Sequence, residues 1–476
     1  MEHSALSEGQ PTPSTRGRYR RSTNRIHYQK QTADNFCRPA FDNKNQTSDA
    51  TMTGTRWIVL AIIIVASSVS YMLRINVSIL GDAMIRDLGM NAYQLGIVLS
   101  AFAAGYTIFQ FPGGIIGDKF GPRLTITTIA VAWTLLTVVT AVIPGTEFWS
   151  VGLIVAALVA TRFLVGLSHG PFFPVTIGGT IARWFPVKQW GIANGLIVAG
   201  LTLGGAAAGP IIVWLMESYG WRGAMLLTAP TGLIIAFIYF RYVTDNPADH
   251  ARMTATELEL INSDRPRGEE GSEKGAWKAA LKNRNVLLLT ISYFCMNYVF
   301  YLFFNWFFFY LVNVKQFSAA DAALFVTAQW ILGAAGGLVG GFTCDGLVRR
   351  FGISRGPRIL AMTGLILSAL FLYVGATSDS TVIAVVMLCA AFGCTQITDT
   401  PYWVAIMSMS GRHAPVATGI LNTGGNVPGV IGAMSVPFLA DVLGWPVAMA
   451  SGSVFAVVGA LLWLFVKADK PVGEAT

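Results

Sequence analysis

From about residue 57 to its end, the chain alternates between long apolar runs and short polar breaks. Each run is close to the ~20 residues that a helix needs to cross a bilayer. Backbone groups in hydrocarbon must bond within their own segment, so the runs are predicted to be helices. The twelve predicted spans lie at about 57–80, 93–116, 124–143, 152–178, 190–214, 223–243, 286–312, 322–344, 358–376, 381–407, 416–439 and 446–466.

The polar stretches divide the chain into five predicted parts. Residues 1–55 are polar and lack a helical apolar period, so we expect a disordered cytosolic tail. Residues 244–285 are dense in charge and are predicted to form a cytosolic linker between two six-helix bundles, 56–243 and 286–467, with a tail at 468–476. The predicted fold class is therefore an all-α membrane protein of twelve transmembrane helices in two pseudo-symmetric bundles.

Composition agrees with a lipid environment. Hydrophobic residues make up 53% of the chain and charged residues only 12%, with a mean hydropathy of +0.55. Water-soluble domains carry about twice that share of charge. The five cysteines form no CxxC pair, no metal-binding spacing with histidines is present, and we predict no cofactor and no metal.

The net charge of +8 is explained by topology rather than by nucleic-acid binding. With the N-terminus inside, most basic loop residues fall on the cytosolic side, and only Arg86, Arg222 and Lys315 fall outside. We therefore expect cytosolic termini, a bacterial inner-membrane location, and no nucleic-acid partner.

A short motif occurs in both halves. GGIIGDKFGPR after span 2 contains Asp118, Lys119 and Arg123, and GGFTCDGLVRR after span 8 contains Asp345 and Arg349. Each copy places an aspartate at the cytosolic end of the second helix of its half, before a basic loop. This repetition indicates a duplicated bundle that rocks about a central site. A solvated basic turn is the alternative interpretation.

With this motif and twelve spans, the chain resembles the major facilitator superfamily. The resemblance implies that the motif residues form a latch between helices that stabilises the outward-open state. Five segments further resemble the superfamily's anion:cation symporters, which include hexuronate, galactonate and glucarate carriers. They are YMLRINVSIL, GYTIFQFPGGIIGD, RFLVGLSHGPFFP, YLFFNWFFFYLV and GILNTGGNVPGVIG.

Two arginines, Arg74 and Arg162, are predicted to lie well inside spans. A charge at that depth costs at least ~2.5 kcal/mol and persists where it faces a cavity or a partner. The guanidinium of Arg74 has the fork geometry that binds carboxylates, and Tyr71 lies one turn earlier. The resemblance likewise implies that both contact a substrate carboxylate. A structural salt bridge is the alternative.

The resemblance also assigns Arg162 to coupling, through pairing with a nearby acid, while helix packing is its alternative role. This chain departs from the family pattern at two positions. Leu73 replaces the aspartate that precedes the span-1 arginine, and His169 replaces a span-4 glutamate. His169 or Asp399 in span 10 would then carry the proton, unless the protein works as an exchanger or uniporter without one.

Further substrate contacts are expected from aromatic and amide residues on the cavity-lining spans. The principal candidates are Tyr106, Thr400, Trp403 and Asn422, followed by Asn305, Trp306, Gln329, Trp330, Tyr402 and Asn426. The glycines of span 5 predict close helix packing, and the Phe-rich span 7 is predicted to face mainly lipid.

The predicted function is secondary active transport of a small organic anion, a sugar acid or another carboxylate, by alternating access with proton-coupled uptake. Exchange or uniport without a proton, and export of a drug or metabolite, are the alternatives. An enzyme is not expected, since HExxH, GxSxG and acid-rich metal motifs are absent from the sequence. The expected partners are the organic anion and the lipid bilayer, and the expected state is a monomer.

Overall fold

The computed structural model describes residues 54–186, 189–263, 282–410 and 414–469. The side chains of residues 111, 118, 178, 190, 191, 410 and 414–416 are outside that description. The predicted disordered tail, apart from its last two residues, lies outside the described residues. So do residues 264–281 of the predicted linker and 470–476 of the C-terminal tail.

Ten helices of the described chain are long and apolar enough to cross a membrane. Two of these bend sharply at a glycine and each supplies two spans, which gives the twelve that the sequence predicts. The first six spans are Thr55–Leu88, Ala92–Phe120, Pro122–Ala141, Val151–His169 continuing through a π-helical stretch to Trp184, and Trp190–Thr228 bent at Gly220 and followed by Pro230–Tyr242. The last six are Arg284–Asn313, Ala319–Thr377 bent at Gly352, Thr381–Ile397 with Asp399–Ser410, Ala414–Leu443 and Trp445–Leu462.

Four glycine turns recur at equivalent places in the fold. Gly121, Gly220, Gly352 and Gly444 have φ angles of 81°, 72°, 82° and 87°, with ψ between 154° and 171°. This backbone region is essentially restricted to glycine. The turns join spans 2 and 3, 5 and 6, 8 and 9, and 11 and 12. Each is the second connection within a group of three helices, so the fold is built from four related three-helix units.

The described beginning of the linker is attached to the first bundle. Glu257, on the short helix Ala255–Asn262, accepts hydrogen bonds from the backbone nitrogens of Thr55 and Arg56, both at 3.1 Å. Asp245 accepts a 2.9 Å hydrogen bond from the backbone nitrogen of Arg123. Acidic groups stabilise helix N-termini, and these two therefore cap spans 1 and 3 from a distance.

Three helix pairs connect the halves. Spans 5 and 8 approach closely at Gly205, where an added Cβ would lie 2.7 Å from the Trp330 ring. Gly200, Gly204 and Gly209 also lie against neighbouring helices, as predicted for the span-5 glycines, whereas a Cβ at Gly195 would meet nothing within 4 Å. Thr327 of span 8 also donates a 2.7 Å hydrogen bond to the Ala206 carbonyl. Spans 2 and 11 are joined by a 3.0 Å bond from Asn422 to Gln110, and spans 1 and 7 pack as described below.

The expectation that span 7 faces mainly lipid is wrong. Its phenylalanines Phe303, Phe304, Phe307, Phe308 and Phe309 are all buried in the protein. Span 7 packs against spans 1, 11 and 12, so its aromatic surface fills the interior instead of meeting lipid. Hydrophobicity alone does not distinguish the two cases, because lipid tails and protein interiors are similarly apolar.

The glycine turns make a testable prediction. A Cβ at Gly352 would meet nothing within 4 Å, so Gly352→Ala is expected to cost only backbone strain, about 1–3 kcal/mol. The loss should appear as a lower thermal unfolding temperature of the detergent-purified protein. Gly346→Ala is the matched control, since Gly346 is helical and equally unobstructed. The control is expected to be neutral or stabilising by up to about 1 kcal/mol. Equal unfolding temperatures for both variants would contradict this account.

Candidate functional site

Arg74 lies in the middle of span 1, inside a box of aromatic rings. Its side chain is only 7% exposed. The guanidinium carbon is 4.7–5.9 Å from the centroids of five rings: Tyr71, Phe102, Tyr106, Tyr301 and Phe304. Such contacts stabilise a cation, more strongly where water is excluded. The structure thus brings the predicted Tyr71, Arg74 and Tyr106 together.

Arg162, on span 4, adjoins this box. It is 3% exposed, donates a 3.3 Å hydrogen bond to the carbonyl of Arg74, and lies 5.0 Å from the Phe102 ring. Phe102 therefore contacts both guanidinium groups. Two positive charges share one apolar pocket of the first bundle.

Neither arginine has an acidic partner among the described residues. The ion pairs found there join Arg56 to Glu257, Arg86 to Asp82 and Arg222 to Asp87, all away from the box. The Nε atoms of Arg74 and Arg162 also have no hydrogen-bond partner within the described part of the chain. Buried charges are normally paired. The arrangement is therefore suited to an anion supplied from outside the protein.

A hydrogen-bond chain links Arg74 to the second bundle. Its Nη2 donates to the Tyr301 hydroxyl at 2.9 Å, and that hydroxyl donates to Asn426 Oδ1 at 2.8 Å. Asn426 in turn donates to the carbonyl of Asn422, one turn earlier on span 11. The site therefore joins spans 1, 7 and 11. An anion that bound Arg74 would compete with the Tyr301 hydroxyl for the guanidinium.

His169 lies at the end of the first segment of span 4 and is 2% exposed. Its Nδ1 is 2.9 Å from the Val165 carbonyl. The imidazole stacks on Trp133 at 4.5 Å and contacts the Phe102 ring edge-on at 5.5 Å. His169 therefore contacts Phe102, as both arginines do, and aromatic rings enclose its imidazole.

Asp399 begins the second segment of span 10 and is partly buried. Tyr293 donates to its Oδ1 and Trp403 to its Oδ2, each at 3.1 Å. Within the described residues no basic side chain lies at ion-pair distance from it. Thr400 is the next residue and is half-buried. This carboxylate belongs to the second bundle, whereas both buried arginines belong to the first.

The predicted latch residues lie at the end of span 2, at the start of span 3 and at the corresponding end of span 8. The side chain of Asp118 lies outside the described residues. Lys119 and Asp345 are exposed, and Arg349 donates to the backbone carbonyl of Asp345. Arg123 donates to the Phe240 carbonyl and lies over the Phe240 ring.

Several residues of the site were not predicted from the sequence. Phe102, Tyr301, Phe304 and Trp133 all contact Arg74 or His169. Phe102 had a detectable signal, because it lies one helical turn before Tyr106. Tyr301 and Phe304 were hidden within the aromatic run of span 7. Of the remaining candidates, Trp306 is fully buried against Phe309 and Trp445.

The family model of the Major Facilitator Superfamily matches residues 60–433 and 347–476. The chain belongs to the Major Facilitator Superfamily. Its relatives are transporters and not enzymes, and they include the carriers of sugar acids that the sequence resembles.

Three comparisons describe this likeness within the Major Facilitator Superfamily. The probable sulfoacetate transporter SauU of Cupriavidus necator is 29% identical over 87% of this chain and 94% of its own. The hexuronate transporter of Bacillus subtilis is 28% identical over 81% of this chain and 88% of its own. A bacterial homologue of the human lysosomal transporter Spinster, solved in an inward-facing and unoccupied conformation, shares the fold. Its TM-score is 0.71 at 16% identity, over 87% of this chain and 97% of its own.

The unpaired charge of Arg162 makes a prediction about stability. Arg162→Met keeps much of the apolar stem but removes a buried charge that lacks an acidic partner. We expect the ligand-free variant to be more stable than the parent by about 1–3 kcal/mol. Thermal unfolding in detergent measures this. Arg86→Met, at an exposed arginine of span 1, should change stability by no more than about 1 kcal/mol. A less stable Arg162→Met protein would mean that the charge is already compensated.

Proposed function

We propose that this member of the superfamily is a secondary carrier that takes up a small organic anion, a sugar acid or another carboxylate, by alternating access. The observation that carries the proposal is the buried Arg74 in its aromatic box, without a carboxylate partner among the described residues. A carboxylate bound there would supply the missing negative charge and accept two hydrogen bonds from the guanidinium. Tyr71, Tyr106, Thr400, Trp403 and Asn422 are the proposed additional contacts.

The substrates named for the relatives support the anion class. Sulfoacetate, galactarate, glucarate and hexuronate all carry at least one acidic group. Export of a cationic drug is the weaker alternative, because it would require an acid where this site has two arginines.

Substrate binding is proposed to act on the contact between the two bundles. Arg74 donates to Tyr301 across the interface of spans 1 and 7. A carboxylate at Arg74 would replace this bond and so change the relative stability of the two conformations. A ligand shifts a conformational equilibrium only by such differential binding. Rocking of the bundles, with the motif residues Asp118, Lys119, Arg123, Asp345 and Arg349 as a latch, completes the proposed cycle.

For proton coupling we favour Asp399 over His169. In the described chain Asp399 is partly exposed and is hydrogen-bonded by two neutral donors, Tyr293 and Trp403, instead of a cation, which supports a role in taking up a proton. His169 is enclosed by Trp133 and Phe102. Arg162 contacts the Phe102 ring that also contacts Arg74, and this contact supports a proposed role for Arg162 in coupling at the substrate site. Exchange or uniport of organic anions without a proton is the alternative.

The proposal extends to the orientation of the chain in the membrane, its bundle boundaries and its oligomeric state. The positive charge of the inner loops supports cytosolic N- and C-termini in a bacterial inner membrane. We propose two bundles at 56–243 and 286–467, and a monomer as the working unit.

Substitution of Arg74 tests its proposed role in binding the anion. Arg74→Lys keeps a positive charge but loses the planar fork, and Arg74→Ala loses both. Each is expected to lower uptake of a transported sugar acid by about 100-fold or more in proteoliposomes, at an unchanged level of membrane insertion. Arg86→Ala, on the same helix, serves as the control and should transport normally. Normal uptake by Arg74→Ala would refute the assignment of the site.

Two substitutions distinguish Asp399 from His169 as the group that carries the coupling proton. Asp399→Asn is expected to abolish accumulation driven by a pH gradient while retaining counterflow, because the substrate site stays intact but no proton moves with it. His169→Gln should retain both activities. The reverse pattern would transfer the coupling role to His169. Accumulation retained in both variants would rule out both residues as the proton carrier, and a parent protein without pH-driven accumulation would favour exchange or uniport.

A further inference from the structure

A small space lies between spans 1, 7 and 8. Its volume is about 10 Å³, which is room for one water-sized group. Most of its wall is apolar, including Phe304 and Trp330. Two polar side chains, Ser78 and Gln329, interrupt that wall.

Both polar side chains are almost completely buried. Ser78 is 4% exposed and Gln329 is 1% exposed. Within the described part of the chain, Ser78 Oγ and Gln329 Oε1 have no hydrogen-bond partner. Unpartnered polar atoms at such depth are costly, and a protein interior normally satisfies them. Two such atoms on the wall of one space indicate that the space receives a polar group.

The space adjoins the Arg74 site. Phe304 contacts the Arg74 guanidinium at 4.9 Å and also lines the space. Trp330 likewise lines it and contacts Tyr71 at 5.5 Å. Ser78 lies four residues after Arg74, one turn further along the same face of span 1. A molecule whose carboxylate bound Arg74 could therefore place a second group between Ser78 and Gln329.

We propose that Ser78 and Gln329 form a subsite for a hydroxyl group of the transported acid. A hydroxyl can donate to Gln329 Oε1 while it accepts a hydrogen bond from Ser78 Oγ, which satisfies both atoms. This inference rests on the proposed function and narrows it, since it selects polyhydroxylated acids over acids that lack hydroxyl groups. Among the substrates of the relatives, the subsite favours the sugar acids over sulfoacetate.

Paired ligands of equal chain length provide the test. D-glucarate and adipate are six-carbon diacids with and without hydroxyls, and D-gluconate and hexanoate are the corresponding monoacids. Their affinities would be measured by calorimetry on the purified full-length chain. We expect the wild type to bind the hydroxylated member of at least one pair about 10–100-fold more tightly. Gln329→Leu and Ser78→Ala should each reduce this affinity ratio within a pair at least several-fold, mainly by weakening the binding of the hydroxylated acid.

Ser67→Ala is the matched control. Ser67 is a buried serine of the same helix whose Oγ also lacks a partner in the described chain, but it does not line the space. The affinity ratio of the Ser67→Ala variant should equal that of the wild type. The subsite is refuted if the wild type does not prefer the hydroxylated acids, or if its preference survives in both variants, as it would if the space held only a structural water. Failure of all four acids to bind would instead refute the proposed function on which the subsite rests.

Discussion

The positive charge of Arg74 is the constraint on which the site depends. A guanidinium at membrane depth must be stabilised, and the described part of the chain does so with five aromatic rings and one tyrosine hydroxyl instead of a carboxylate. Rings and neutral donors stabilise the cation without cancelling its charge. A site of this kind keeps a positive charge that the proposed anion could neutralise. Because the hydroxyl belongs to Tyr301 of the other bundle, the proposed anion binding would also affect the packing of the two halves.

The scaffold suits the proposed rocking of the two bundles, in which the hydrogen bond from Arg74 to Tyr301 would change. Four glycine turns join the second and third helices of each three-helix unit. Spans 1 and 3 are capped by Glu257 and Asp245, so the first bundle is braced at its linker end. Between the bundles, aromatic packing such as that of Tyr71 on Trp330 is combined with single hydrogen bonds such as that from Thr327 to Ala206. Single hydrogen bonds of this kind can be exchanged when bundles move, as the proposed rocking mechanism needs.

The sequence alone predicts the spans well, because bilayer thickness and backbone hydrogen bonding impose a length and an apolar character that are visible in any one segment. The same reasoning predicts the buried charges, because a charged side chain inside a membrane span is costly and therefore rare. These charges are Arg74, Arg162 and Asp399. Tyr301 was not predictable, because in a run of phenylalanines nothing local distinguishes the ring that faces the site. Asp245 and Glu257 were assigned only to a charged linker, since their roles arise from contacts 122 and 201–202 residues away in the chain.

A structure determined with a bound organic acid tests the central claim most directly. The account predicts that the acid's carboxylate oxygens lie about 2.7–2.9 Å from the Arg74 guanidinium, and that the hydrogen bond from Arg74 to Tyr301 is broken. An acid bound elsewhere in the protein, with Arg74 still bonded to Tyr301 in its aromatic box, would contradict it.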